Sequence, residues 1–118
     1  MIAVIFEVLP DEERRQEYFD RAAALNALLQ TIDGFISIER FQSLATPGKV
    51  LSLSFWRDEE AVRAWRNLPE HRAAQEAGRG GVFADYRLRV AQVIRDYGMT
   101  ERAGVPADSA AHHGKADS

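Results

Sequence analysis

The stretch "VLSLSFWRDEEAVRAWRNLPEHRAA", residues 50–74, carries the reading of the fold. It begins as an apolar run with strand alternation, turns acidic at Asp58, Glu59 and Glu60, and continues with apolar residues at helical spacing. Residues 2–23, "IAVIFEVLPDEERRQEYFDRAA", repeat that order: apolar strand, Asp-Glu-Glu, amphipathic helix. Acidic residues suit a helix start, because they face the positive end of its dipole and accept hydrogen bonds from its free N–H groups. Asp11 and Asp58 are therefore the expected N-caps.

Working outward, the first helix is expected over about 11–31, with Tyr18, Ala22, Leu25, Leu29 and Ile32 as its buried stripe. Asp33 and Gly34 end it, and "FISIERFQ" (35–42) reads as a strand. In "SLATPGK" (43–49), Pro47 and Gly48 mark a turn before the strand at 50–57. Pro69 restarts the second helix, since proline is tolerated in a first helical turn. "GRGG" (78–81) is a break, and "VFADYRLRVAQVIRDY" (82–97) reads as a long last strand. The order strand-helix-strand, strand-helix-strand predicts an α+β, ferredoxin-like βαββαβ domain over 1–97, with a four-stranded antiparallel sheet and both helices on one face. Residues 98–118 are small, polar and aperiodic and read as a flexible tail.

Composition narrows the function. A chain of 118 residues suits one domain, and a net charge of −3 lacks the basic face of a nucleic-acid binder. Without cysteine there are no disulfides, thiolate metal sites or cysteine nucleophiles, which fits a reducing compartment. The apolar start lacks the leading positive charge of an export signal, and no run approaches the roughly 18 apolar residues of a membrane span. A soluble cytoplasmic protein is the expectation. No nucleophile motif, phosphate-cradling glycine loop or metal-spaced cluster occurs. His112 and His113 lack a companion ligand and suggest adventitious metal binding at most.

Strand alternation sorts the side chains into two faces. Ile2, Val4, Phe6 and Val8, with Ile36 and Ile38, and Leu51, Leu53 and Phe55, form an aliphatic set expected beneath the helices. The opposite set mixes Phe35, Phe41 and Trp56 with Ser52, Ser54, Glu7 and Glu39, and no helix remains to cover it. An exposed aromatic face of this kind marks a partner or ligand surface. The expected cover is a second copy of the chain, sheet against sheet, forming a homodimeric barrel around a cavity.

At this point "FWRDEEAVRAWRNLPEHRAA" on a βαββαβ chain resembles the antibiotic biosynthesis monooxygenase family over residues 1–97. The resemblance implies a dimeric α+β barrel. It also implies membership in a group that includes cofactor-free oxygenases of anthrones and quinols, heme-degrading enzymes and members of no known activity. The heme-degrading branch shares the helix tryptophan, here Trp65. It has an asparagine where this chain has Glu7, and an iron-ligating histidine where this chain has Gln75. Gln75 is a poor iron ligand, and His71 lies one turn earlier.

The leading expectation is a cofactor-independent monooxygenase that binds no metal and acts on a small aromatic, quinol or anthrone-like ligand. Trp56, Trp65, Phe35 and Phe41 would wall the ligand, and His71, Glu7 or Glu39 would serve as base. Arg40 is a candidate for a developing phenolate, although alternation places it on the helix side. Each residue has a plainer reading. Trp65 shares a core stripe with Ala61, Val62 and Leu68, and His71 sits where a capping or solvated histidine would. Glu7 and Glu39 would be satisfied by Arg87 or Arg89. The rival functions are a heme-binding or heme-degrading enzyme with altered ligands, and a non-catalytic small-molecule-binding barrel.

Overall fold

A computed structural model describes residues 1–113 of the chain. The elements follow as β1 (Ile2–Pro10), α1 (Arg15–Leu29), β2 (Phe35–Gln42), β3 (Val50–Trp56), α2 (Glu59–Arg66), α3 (Pro69–Ala77), β4 (Phe83–Gln92) and α4 (Ala107–His113). The four strands form one antiparallel sheet in the order β2-β3-β1-β4. Each helical crossover therefore lands its strand beyond the neighbour, which is the split βαβ arrangement expected of a ferredoxin-like chain.

Both acidic caps do what their spacing suggests. Asp58 accepts from the Ala61 N–H at 3.0 Å, and that bond, ahead of neighbouring Arg57, holds its carboxyl below the usual range. Asp11 accepts from the Glu13 N–H at 3.2 Å and opens a single 3-10 turn before α1. Gly34, at φ 94°, ends the first crossover in a conformation that favours glycine, and its carbonyl accepts from Arg57 N–H at 2.7 Å. The last strand stops at Gln92, five residues before the predicted end at Tyr97. Within the expected tail a short helix forms over Ala107–His113. The His112 and His113 side chains and residues 114–118 lie outside the described residues.

One grouping of the strands needs correction. In the register, Ile2, Val4, Phe6 and Val8 stand opposite Trp56, Ser54, Ser52 and Val50. Residues directly opposite share a face. The buried members of β3 are thus Val50, Ser52, Ser54 and Trp56, and these lie beneath the helices. Leu51, Leu53 and Phe55 turn to the other side with Ile5, Glu7, Glu39 and Phe41. Alternation had separated the two sets on β3 but docked the greasier one inward.

The core is divided. One cluster gathers Val8, Tyr18, Val50 and Val82, with Phe6, Phe19 and Phe83 against it. The other gathers Leu29, Trp56, Ala61 and Val62, with Ile2, Phe35 and Trp65 among its neighbours. Between them the floor of the sheet is Ser52 and Ser54, both buried and both small. Packing densities in protein interiors leave no gap by accident.

Candidate active site

The gap between the two clusters is a cavity of about 290 Å³, enclosed by the sheet below, α1 on one side and α2–α3 on the other. Its floor has three cross-strand rows: Trp56, then Ile38, Ser54 and Val4, then Arg40, Ser52 and Phe6. Tyr86, Leu88 and Val90 of β4 also line it and are 46%, 47% and 46% exposed, whereas Trp56 at the far end is 1% exposed. The mouth therefore opens along β4.

The aromatic end is a ladder. Phe35 meets Trp56 edge-on at 5.2 Å between ring centres. Trp56 stacks on Trp65 at 6.3 Å, and Trp65 on His71 at 4.3 Å with 16° between the planes. Trp56 spends its one donor on the Ser54 hydroxyl at 2.9 Å, so the buried indole is satisfied.

His71 is positioned by the chain break before it. In a continuous helix the N–H of residue 69 would bond the carbonyl of Trp65, but Pro69 has no N–H. The Trp65 oxygen instead accepts from the Leu68 N–H at 3.1 Å and from His71 Nδ1 at 3.2 Å. A carbonyl can only accept, so the neutral ring carries its proton on Nδ1 and leaves the Nε2 lone pair free. Burial, with a smaller push from Arg72, lowers the His71 pKa from its ordinary 6.5, against the opposing bond to Trp65. A partly buried, neutral imidazole with a fixed tautomer can accept a proton at neutral pH.

Of the residues singled out in the sequence, Trp56, Trp65 and His71 come together on the cavity. Phe35 packs behind Trp56 without lining it. Glu7, Glu39 and Phe41 are on the opposite face, so the expectation that they enclose one space with Trp56 is corrected. Glu7 is bound there by Lys49, at 2.7 Å, and by Arg89. Those two partners, Lys49 first, hold its carboxyl below the usual range. Arg40, set aside because alternation put it on the helix side, lines the cavity for that very reason. Ser52, Ser54 and Tyr18 were missed as site residues. Two small polar residues in a strand that otherwise reads apolar were the available signal.

The residues do not fit a heme. Gln75 lines the cavity with an amide, Glu7 lies across the sheet from it, and His71 is flat against Trp65 with Nδ1 engaged. Among the described residues no group of three or more His, Cys, Asp or Glu side chains is placed to hold a metal ion. No helix described is long and apolar enough to cross a membrane.

Comparison with known proteins matches residues 1–77 to the family model described as antibiotic biosynthesis monooxygenase. A jasmonate monooxygenase of Pyricularia oryzae is 50% identical over 93 residues, covering 79% of this chain but 43% of that protein. The chain thus spans less than half the length of that relative. The Bacillus subtilis protein YqjZ is 32% identical over 93 residues and matches across 79% of both chains. Among solved structures, Rv0793 from Mycobacterium tuberculosis superposes with a TM-score of 0.73 at 16% identity, over 82% of this chain and 98% of that one. SnoaB, a cofactor-independent oxygenase from Streptomyces nogalater, gives 0.70 at 13% identity, over 80% and 94%. Identities this low establish a shared fold.

Proposed function

This chain belongs to the antibiotic biosynthesis monooxygenase family, and we propose that it is a cofactor-independent monooxygenase acting on a small aromatic, quinol or anthrone-like molecule held between its sheet and helices. The observation that carries the reading is His71, with its proton fixed on Nδ1 and its ring stacked on the tryptophan that lines a largely apolar cavity.

In this reading the flat substrate lies against Trp56 and Trp65, and Nε2 of His71 removes a proton from its activated carbon. The carbanion transfers electrons to dioxygen and the two combine as a peroxide. Loss of water then leaves a carbonyl, so a CH₂ and O₂ become C=O and H₂O with no outside reductant. The apolar walls keep bulk water from reprotonating the carbanion. Jasmonate belongs in the first substrate panel beside anthrones and hydroquinones, because the relative sharing half its residues over the matched segment is named for it.

Oxygen consumption by the purified protein tests this. His71→Ala should lower the rate by about 10²-fold or more, the usual share of a general base. The acid limb of kcat/KM should fall below 6.5, in keeping with the lowered histidine pKa. Unchanged rates in His71→Ala, or no uptake across the panel, would end the reading.

The open sheet face supports the homodimer expected from the sequence. Ile5, Leu51, Leu53 and Phe55 line its centre, half-buried and on the side away from α1, α2 and α3. A second copy would bury both faces at once. Leu53→Glu should halve the mass seen by light scattering, and a wild-type mass equal to one chain would refute the pairing.

A further inference from the structure

The charge lining the cavity does not match the charge of the chain. The protein carries 18 acidic and 15 basic side chains, yet Arg21, Arg40, Arg66 and Arg79 line the cavity and no Asp or Glu does. Three of the four are explained without a ligand. Arg21 is held by Glu17 at 3.1 Å, and Arg66 and Arg79 are exposed to water. Arg40 is different. It rises from the floor opposite Ser52, reaches the Asn26 side-chain oxygen from Nη1 at 3.4 Å, and shares a hydrogen bond with the Tyr18 hydroxyl. Its Nε is buried and has no partner among the described residues. Buried donors on a guanidinium are nearly always paired, so an unpaired one beside an open cavity is a place for an acceptor.

The geometry points to a substrate carboxylate on Arg40: the cavity takes flat, mostly apolar monocarboxylic acids, with the ring body at Trp56 and the anion at the other end of the floor. Arg40 and Trp56 stand two cross-strand rows apart, about 13 Å along the strands, which sets the length of the ligand. A carboxylate matches the planar fork of arginine and is ionised throughout the neutral range, which a phenol is not. The buried Tyr18 hydroxyl accepts from Arg40, and burial outweighs that cation and raises its pKa, so its O–H stays protonated and can donate to the same anion.

The inference rests on the cavity being the ligand site, as in the proposed function, but not on turnover. Calorimetric titration of the whole chain with 4-biphenylacetate and the matched neutral 4-biphenylacetamide tests it. The acid should bind about ten- to a hundredfold more tightly, the range for a hydrogen bond to a charged group. Arg40→Gln should erase the preference, Arg40→Lys should keep part of it, and Arg66→Gln with Arg79→Gln should leave most of it. Equal affinities, a preference that survives Arg40→Gln in a folded protein, or no binding of either compound at millimolar concentration would overturn it. A protein that prefers the acid but consumes no oxygen would sink the oxygenase reading and leave this one standing.

Discussion

The two faces of this sheet are built from the same four strands and use similar residues, but they spend them differently. Toward the helices, β3 contributes Val50, Ser52, Ser54 and Trp56, and the result is two packed clusters with a cavity between them. Away from the helices, it contributes Leu51, Leu53 and Phe55, half-buried and flanked by the Glu7–Lys49–Arg89 group, with none of α1, α2 or α3 on that side. The greasier set is on the side away from the helices. Room for a ligand was made by putting serines where a solid core would have leucines, and the apolar surplus was left facing outward, where a second copy would use it.

The sharpest way to break this comparison is to remove one aromatic from each face. Trp56→Ala should cost about 3–5 kcal/mol, the usual loss for a large buried aromatic, and should show as a large drop in the chemical-denaturation midpoint. Phe41, 42% exposed on the other face of one protomer, should cost under about 1 kcal/mol when replaced by alanine in the monomeric Leu53→Glu background. Comparable losses would mean the open face is as much a core as the closed one.

The serines give the next test. Ser54→Ala strands the buried Trp56 indole N–H and should cost about 1–3 kcal/mol. Ser52, one row further and with no side-chain hydrogen bond among the described residues, should respond in the opposite direction. Ser52→Val adds apolar volume to the cavity floor and should raise stability by up to about 1 kcal/mol while weakening ligand binding. If Ser52→Val destabilises the protein as Ser54→Ala does, the floor is filled space and the cavity reading fails.

How much of this was legible follows from what periodicity can report. The period of two placed Leu51, Leu53 and Phe55 together and Ser52, Ser54 and Trp56 together, as they are found. It could not report which set faces the helices, because that depends on the pairing of Val4 with Ser54 and Phe6 with Ser52 across 46 and more residues of chain. A one-residue shift in that pairing would invert the answer. The caps and the order of elements along the chain were readable because they depend on neighbours in sequence. Arg40 was read onto the correct side and discounted only because that side was taken to be solid. His71 had a local signal in Pro69, four residues after Trp65, since a missing N–H at that spacing frees a carbonyl; its stacking on Trp65 had none.

The smallest effects separate the faces by acidity. His71 on the cavity side and Glu7 on the open side both have pKa values below their ordinary ones, His71 mainly through burial and Glu7 mainly through Lys49. A lowered native pKa means the unfolded chain binds the proton more readily, so each group adds stability at higher pH and loses it on acidification. For His71 the loss begins near 6.5 and runs downward, and for Glu7 it begins near 4.5 and runs downward. The melting temperature should therefore decline with falling pH in two separate stages. His71→Ala should flatten the upper stage alone, and Glu7→Gln should lessen only the lower stage, to which capped Asp58 and paired Glu17 also contribute. The lower stage should also weaken in high salt, because Glu7 and its cations are partly in water, while the upper one should hold, because burial is not screened. A single decline, or one that either variant flattens throughout, would show that the two faces titrate as one unit.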